Sequence, residues 1–465
     1  PSETGVMSAF QAGAIDYLVK PFDEVTTTAK VLSGLSFAKE VLNRTKAFSV
    51  KAKVEQEGDT LQEKVERLKN KTEQLFALPQ ATTRLIGLCE NPRVNAEKLT
   101  EVIRVDPALS STMIRRANSA MFRGVEKVGS LQDAVVRLGH RNVRSIATLM
   151  SVFKLSGAEA KSFAFDRFGH WIHSLGVGIL AEELALKMAL AEPEDVFLAG
   201  ILHDFGKLVY DDHLHEDFMK ITQTIVSKRM QASEVEKQML GTPHSEMGEH
   251  VARNWGLPEK MCFAIGRHHD LGVMEKADKN GIPPVESVVA LANQMTKAIL
   301  LGTSGDLCDV TISDDVWKRL QFKEDQLSAF VEEIIKSVKE FVTLLKIPSG
   351  KVPLRYVPLK DNQYVRIEDG GAADRLLDVF YATQGFRTVR AGQALPEGIQ
   401  PKVVIYDYRN AEKIPPKLEN VVPESVARHV VIKASSTVIP DYIPNSSTVL
   451  STPVDYLELW EALRK

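Results

Sequence analysis

The sequence predicts a multidomain protein with a central all-α domain and α/β segments at both ends. A length of 465 residues suits about three domains, at roughly 100–200 residues each. Apolar residues recur at helical spacing through residues 78–345, which predicts packed amphipathic helices. From residue 362 to 465, short β-branched runs alternate with helical patterns, and this alternation is typical of a parallel sheet.

The composition is that of an ordinary folded protein. Hydrophobic residues make up 44% and charged residues 26% of the chain, which excludes wholesale disorder. The formal net charge of −3 gives no overall attraction for nucleic acid or an anionic membrane. The cysteines are too far apart to form a metal-type pair, and they predict buried thiols in a reducing compartment: Cys89, Cys262 and Cys308. Because no apolar run reaches the ~18 residues of a membrane span and no signal pattern opens the chain, we expect a cytoplasmic protein.

Residues 1–35 predict a helix, a strand and a second helix. The strand is the apolar run Tyr17–Val19, which stops at Lys20-Pro21. One strand cannot bury both of its faces, so this segment is part of a larger unit. The chain also begins with Pro1 instead of Met, and we therefore expect the first domain to be cut.

Residues 36–77 form a charged helical linker in which apolar positions alternate at spacings of four and three. These positions are Leu61, Val65, Leu68, Thr72 and Leu75. The pattern covers about two heptads, which is short for a coiled coil. It leaves two interpretations open, a solvated helix packed on its own domain or a dimerising signalling helix.

The C-terminal regions follow from turn and strand patterns. Residues 346–361 are rich in Pro and Gly and predict a connector. Within residues 362–465 the predicted strands are Tyr364–Ile367, Phe386–Val389, Val403–Tyr406, His429–Ile432 and Thr448–Leu450. In the central stretch, three helices are predicted: Leu131 to Met150, Leu175 to Leu190, and Asp195 to Tyr210 with Pro193 in its first turn.

Histidines concentrate in the central domain, where ten of the eleven lie between His140 and His269. Imidazole nitrogen and carboxylate oxygen suit a Mn, Fe or Zn ion, which would lower the pKa of bound water and polarise a phosphoryl oxygen. On one helix His203 and Lys207 would share a face, so Lys207 is a possible catalytic residue beside the metal. A purely structural role for the histidines is the alternative, and it is the expected one for His213, His215 and His250.

Motifs between Leu78 and about Asp270 resemble the HDOD domain, a relative of the HD metallo-phosphohydrolases. The motifs are Asp106-Pro107-Ala108-Leu109, Ala117-Asn118-Ser119-Ala120, Leu138-Gly139, Trp171-Ile172-His173-Ser174, Gly200 through Lys207, and Trp255-Gly256-Leu257-Pro258. The resemblance implies an all-α fold and a metal shell. The implied ligands are His173, His203 and Asp204, joined in two-metal relatives by His244, His268 and His269.

Two departures from the superfamily bear on catalysis. The resemblance implies a last aspartate ligand, and Asn293 stands in its place as a neutral amide. The Gly-Tyr-Pro segment of the cyclic-di-GMP phosphodiesterase branch is replaced by Leu271-Gly272-Val273. We therefore expect this domain to bind a metal ion, and the two departures argue against catalytic turnover.

Both ends of the chain resemble response-regulator receiver domains. Residues Ala12 to Phe22 resemble the last receiver strand, which implies that Lys20 pairs with the phosphoryl group and that Tyr17 reorients on activation. The missing part of this receiver would bind Mg²⁺. The C-terminal domain resembles a degenerate receiver with Glu368 and Asp369 as its acidic pair and Asp407 as its phosphoacceptor. Lys433 and Thr452 depart from the receiver pattern, so we expect a pseudo-receiver used for contacts.

Two functions remain open from the sequence. The first is a two-component output protein, with a sensor histidine kinase or phosphotransfer protein upstream, a downstream signalling partner and a possible homodimer through the linker helix. The second is a metal-dependent phosphohydrolase acting on a nucleotide or cyclic dinucleotide. A cluster of arginines suggests nucleic acid only weakly, because solvated helix faces explain it: Arg115, Arg116, Arg123, Arg137, Arg141 and Arg144.

Overall fold

The computed structural model describes a helical domain, one further helix and the five strands of a sheet. The described residues are 60–306 with breaks at 120–121, 123, 125, 157–164, 229 and 271–282, then 324–344, 364–368, 387–390, 403–408, 428–433 and 447–451. The helices are α1 (Leu61–Leu75), α2 (Gln80–Cys89), α3 (Ala96–Ile103), α4 (Pro107–Ala117), α5 (Leu131–Ser156), α6 (Arg167–Lys187), α7 (Pro193–Leu202), α8 (Phe205–His213), α9 (His215–Lys228), α10 (Ala232–Leu240), α11 (His244–Asn254), α12 (Glu259–Arg267), α13 (Val285–Ala298) and α14 (Glu324–Leu344). The predicted receiver positions Tyr17 and Lys20, and also Cys308, lie outside the described residues.

The helices bury two apolar cores. The smaller core is formed by α2 to α5, and the larger core is formed around α6 by α7 to α14 together with α1. Helix α6 is buried on nearly every side, as expected for a helix at the centre of a large bundle. It packs against α7, α13 and α14, and α12 packs against α7, α11 and α13. The site described below lies where these helices meet.

The predicted helices exist, but several bounds were wrong. The helix predicted from Leu131 extends to Ser156 and kinks at Gly139, whose φ is 75°. The helix predicted from Leu175 begins eight residues earlier, at Arg167. The single helix predicted over Asp195 to Tyr210 is two helices, α7 and α8, separated at His203-Asp204. Pro193 does occupy the first turn of α7, as predicted.

The linker helix packs on its own domain. Val65, Leu68 and Thr72 are buried in α1, which contacts α10 and α11. Thr60 caps this helix in a reciprocal bond pattern with Glu63. The apolar seam therefore faces the larger core, in agreement with the first of the two interpretations left open by the sequence.

The C-terminal strands form a parallel five-stranded sheet. They are β1 (Tyr364–Glu368), β2 (Arg387–Arg390), β3 (Val403–Tyr408), β4 (Arg428–Lys433) and β5 (Thr448–Ser451). All five predicted strands are confirmed, with bounds that differ by one or two residues. The strand order is β2-β1-β3-β4-β5, and each neighbouring pair is parallel.

The predicted arginine cluster is largely engaged in contacts within the domain. Arg144 is buried and pairs with Glu90 and Asp195. The guanidinium of Arg116 is also buried and lies 3.9 Å from the ring centre of Phe341. Arg115, Arg137 and Arg141 bond neighbouring groups of the same domain, and Arg123 lies outside the described residues. These contacts agree with the structural explanation of the cluster.

Two further predictions concern the cysteines and membrane-spanning segments. Cys89 and Cys262 are buried free thiols, and burial raises the pKa of Cys89 to about 12 and that of Cys262 to about 11. Among the helices that the structure describes, none combines the length and apolar character required to cross a bilayer.

Candidate metal centre

Six predicted ligands converge on one buried point. His173 lies on α6, His203 and Asp204 connect α7 to α8, and His244 opens α11. His268 and His269 follow directly after α12. Their ligand atoms form two groups that share Asp204. We call Asp204, His244, His268 and His269 the three-histidine group, and His173, His203 and Asp204 the His173–His203 group.

Two glycines allow α6 and α7 to approach closely. A Cβ on Gly200 would lie 2.8 Å from Cα of Gly178, and a Cβ on Gly178 would lie 2.9 Å from the carbonyl oxygen of Phe197. Real Cβ atoms do not make contacts of this length, so both positions require glycine. The close packing brings the end of α7, and with it His203, beside His173.

The imidazoles of three histidines are held by acceptors on their far side. Nδ1 of His203 donates to the carbonyl oxygen of Gly200 at 2.7 Å, and Nδ1 of His268 donates to that of Ile265 at 2.7 Å. Nδ1 of His244 donates to the carboxylate of Glu236 at 2.5 Å. Because each acceptor fixes the hydrogen on Nδ1, Nε2 carries a lone pair towards the centre. This arrangement is typical of metal-binding histidines.

The inward nitrogens crowd around one carboxylate oxygen. Oδ1 of Asp204 lies 3.0 Å from Nε2 of His244 and 3.4 Å from Nε2 of His268. Nε2 of His269 lies 2.9 Å from Nε2 of His244. Lone pairs and an anionic oxygen at this separation repel one another unless a proton or a metal ion lies between them. The donor set therefore fits a divalent metal ion, and three imidazoles with one carboxylate suit Zn, Mn or Fe.

The second oxygen of Asp204 faces a lysine. Nζ of Lys207 donates to Oδ2 of Asp204 at 2.8 Å and to the carbonyl oxygen of Ser304 at 2.9 Å. Burial would raise the pKa of Asp204, but the neighbouring imidazole of His203 and ammonium of Lys207 hold it well below its usual range. The predicted ammonium beside the acidic ligand is therefore present. It does not arise from a helix face shared with His203, since the helix is broken between them.

A neutral amide faces the remaining histidine. Nε2 of His173 lies 3.0 Å from Oδ1 of Asn293, which is buried on α13. Nδ2 of Asn293 has no hydrogen-bond partner among the described residues. Burial, reinforced by the neighbouring imidazole of His203, lowers the pKa of His173 well below its usual range. Asn293 thus occupies the side of the centre where the sequence comparison implied a carboxylate.

Sequence reasoning missed the residues that support the ligands. Glu236 is fully buried and accepts both the backbone N–H and the ring N–H of His244. Asp306 is buried, pairs with Lys297 at 2.9 Å and lies 4.0 Å from Nδ1 of His269. Sequence spacing does not predict a role for Glu236 or Asp306, because each approaches the centre only when its own segment packs against the ligand-bearing helices.

The histidines predicted to be structural lie outside both ligand groups. Nδ1 of His215 bonds to Asp211 at 2.8 Å, and Nε2 of His250 bonds to the carbonyl oxygen of Lys69 at 3.1 Å. His213 packs its ring against Phe76. Asp369 and the segment Leu271-Gly272-Val273 lie outside the described residues.

Comparison with known proteins assigns the helical domain. The family model of the HDOD domain matches residues 75–271. An uncharacterized protein of Treponema pallidum (strain Nichols) is 28% identical over 222 residues, which is 46% of this chain and 41% of that relative. The alignment thus spans less than half the length of this curated relative.

Three solved structures are partly similar to this chain. An HDOD domain protein of unknown function from Geobacter sulfurreducens has 22% identity and a TM-score of 0.48, over 60% of this chain and 99% of that chain. A provisionally named signal transduction protein from Marinobacter aquaeolei VT8 has 20% identity and a TM-score of 0.47, over 67% and 66%. A provisionally named phosphohydrolase from Shewanella amazonensis SB2B has 24% identity and a TM-score of 0.41, over 68% and 97%. Since these TM-scores are all below 0.5, the assignment rests on the family model: residues 75–271 of this chain match the HDOD domain.

Proposed function

We propose that the chain is a signal-transduction protein in which a metal-binding, non-hydrolytic HDOD domain is controlled by receiver-type segments. The observation that carries the signalling role is the strand order β2-β1-β3-β4-β5 of the C-terminal parallel sheet. This order is that of the flavodoxin-like fold, which response-regulator receivers share. Ligands of such sheets bind beyond the carboxyl ends of the strands, where the order reverses between β1 and β3.

Two of the predicted acidic residues, Glu368 and Asp407, lie at that end of the described strands. Glu368 ends β1 and is the register partner of Asp407 near the end of β3. Asp369 follows Glu368 directly in the sequence. Lys433 ends β4, where a receiver has Ser or Thr, and Thr452 follows β5, where a receiver has Lys. The placement supports a receiver-like domain whose phosphoryl-transfer chemistry is incomplete, and hence a domain used for contacts.

The metal centre supports binding more than turnover. When bound, a divalent ion would supply Lewis-acid polarisation and an acidic water. Asp204 and the histidines grouped around it would hold the ion, with Lys207 orienting the Asp204 carboxylate. The amide of Asn293 supplies no negative charge, so the His173–His203 group has one carboxylate, which it shares. We therefore assign the bound metal ion a structural and regulatory role in the HDOD domain.

The linker helix gives a route from the N-terminal segment to this centre. Nδ2 of Asn254 on α11 donates to Oγ1 of Thr72 at 3.1 Å, and Nε1 of Trp255 donates to the carbonyl oxygen of Phe76 at 2.7 Å. Helix α11 begins at the ligand His244. A change in the packing of α1 thereby alters the helix that presents a metal ligand, which is a population shift between two arrangements.

The remaining parts of the pathway follow from the resemblance. A sensor histidine kinase or phosphotransfer protein would phosphorylate the receiver to which residues 1–35 belong, with Lys20 and Tyr17 as its switch residues and Mg²⁺ as its cofactor. A downstream signalling protein would bind the HDOD domain. No nucleic-acid or membrane partner is proposed.

Hydrolysis assays test the non-catalytic assignment. Purified chain is loaded with Mn²⁺, Fe²⁺ or Zn²⁺ and assayed against bis-p-nitrophenyl phosphate, cyclic-di-GMP and nucleoside monophosphates, beside His203→Ala prepared identically. We expect equal background rates. Turnover that disappears in His203→Ala would identify a metal-dependent phosphohydrolase and contradict the proposal.

Hydrogen exchange tests the route through α1. Because coupling between two sites is reciprocal, Zn²⁺ binding should increase amide protection in Leu61–Leu75, and Asn254→Ala should reduce that gain. Exchange in Ala96–Ile103, which packs in the smaller core, serves as the internal reference. Protection that rises in α11 and stays unchanged in α1 would rule out this route.

A further inference from the structure

We propose that the chain binds one divalent ion tightly, in the three-histidine group, while the His173–His203 group does not hold a second ion. This inference rests on the proposed metal-binding role and concerns which of the two groups is competent. The two groups share Asp204, so the surroundings of its two carboxylate oxygens decide which group can bind an ion.

The two oxygens of Asp204 face different surroundings. Oδ1 lies within 3.4 Å of the inward nitrogens of His244 and His268, and among the described residues no lysine or arginine bonds to it. Oδ2 accepts a hydrogen bond from Nζ of Lys207 at 2.8 Å and lies 3.4 Å from Nε2 of His203. An ion in the His173–His203 group would have to share Oδ2 with an ammonium. Like charges at that separation repel strongly in a buried site.

The carboxylates are also unequally divided. The three-histidine group has Asp204 as a ligand and Glu236 bonded to the far side of His244, so two buried negative charges compensate one dication. A carboxylate behind a ligating imidazole also raises its basicity. In the His173–His203 group the fourth side is the amide of Asn293, whose Oδ1 lies 3.0 Å from Nε2 of His173.

The orientation of the imidazoles also favours metal binding in the three-histidine group. Acceptors behind His244 and His268 fix both rings with Nε2 inward. In the other group only His203 is fixed in this way, through the carbonyl oxygen of Gly200. His173 instead turns Nε2 towards Asn293, which favours a hydrogen on the nitrogen that would have to bind a metal.

Metal titration of the whole chain tests the proposal. Chelator-treated protein is titrated with CoCl₂ and followed by the visible absorption of bound Co²⁺ and by calorimetry. We expect one equivalent in the wild type, an affinity weakened by about 100-fold or more in His268→Ala, and an unchanged stoichiometry in His173→Ala. His268→Gln serves where His268→Ala does not fold, as judged by circular dichroism. Asn293→Asp should bind a second equivalent, because it restores a carboxylate.

Several results would overturn the proposal. These are two tight equivalents in the wild type, no binding by the wild type, or a single ion that is lost in His173→Ala and kept in His268→Ala. An Asn293→Asp chain that still binds one equivalent would also overturn the role assigned to the amide. No binding by the wild type would also contradict the metal-binding part of the proposed function, whereas the other results leave the hydrolysis assay and the Zn²⁺-dependent exchange in α1 unaffected. Failure of the single-site proposal is thereby distinguishable from failure of the signalling role.

Discussion

Gly206, at the start of α8, packs directly against the backbone carbonyl of His244, at the start of α11. A Cβ on Gly206 would overlap that carbonyl, and backbone atoms cannot yield as a flexible side chain can. Two ligand-bearing segments, one ending in Asp204 and one opening with His244, therefore meet through a glycine. The Gly that follows His203-Asp204-Phe205 in the sequence is thus a requirement of helix packing.

Gly206→Ala should weaken metal binding and folding together. The added methyl displaces His244 from Asp204, so we expect loss of tight Co²⁺ binding and a cost of about 1–3 kcal/mol in the free energy of unfolding. Urea denaturation and Co²⁺ titration measure the two effects. Gly87→Ala is the matched control, because a Cβ on this exposed residue of α2 meets no atom within 4 Å. An unaffected Gly206→Ala chain would contradict the packing argument.

Removing one partner of the Arg144–Asp195 pair should be costly. Both side chains are 3% exposed, and Asp195 also accepts from Lys260 at 2.9 Å. Asp195→Ala leaves a buried guanidinium without its buried partner, so we expect a loss of about 3 kcal/mol in urea denaturation. The exposed pair of Lys154 and Asp106 is the control, and Lys154→Ala should cost less than about 1 kcal/mol. Equal costs for the two variants would show that burial does not govern these pairs.

The stability of the domain should fall as the pH rises towards neutrality because of Glu182. Burial on α6 raises the pKa of Glu182 from its ordinary 4.5 to about 7, although the charge of Arg116 opposes the shift. The folded chain therefore keeps a proton that the unfolded chain releases between pH 4.5 and about 7, and stability is lost as the pH rises through this window. The size of the loss is about 3 kcal/mol.

Glu182→Gln should remove this contribution, so that the difference in unfolding free energy between pH 5 and pH 8 shrinks by about that amount relative to the wild type. Glu101→Gln, on an exposed position of α3, should keep the wild-type pH dependence. Parallel pH profiles for the wild type and Glu182→Gln would contradict the assignment.

Metal removal should lower thermal stability. A ligand that binds only the folded state at 100 times its Kd contributes about 2.7 kcal/mol, which corresponds to a rise of roughly 5–10 °C in Tm for a domain of this size. Differential scanning calorimetry with and without Zn²⁺ measures it. His268→Ala should show no rise, whereas His140→Ala, outside both ligand groups, should respond as the wild type does. A chelator-insensitive wild type would argue against a resident metal.

Local sequence patterns predicted most elements because their causes are local. β-Branched runs between turn residues located all five strands to within one or two residues, and Pro193 located the start of α7. The prediction of one continuous helix from Asp195 to Tyr210 was wrong. Apolar residues continue on both sides of His203-Asp204, so periodicity alone cannot reveal the break between the two helices there. The N-terminal receiver segment and the domain bounds stay predictions.

The sequence supplied the residues of the candidate centre, since the resemblance of its motifs to the HDOD domain implied all six candidate ligands that the structure brings together around Asp204. Only the tertiary structure decided what each ligand does. His173 meets Asn293 across 120 positions, and Lys207 meets Ser304 across 97. Such contacts depend on how packed helices are placed, and helical periodicity carries no information about residues so distant in sequence. The orientation of the Asp204 carboxylate, the acid behind His244 and the competence of each ligand group are therefore properties of the fold.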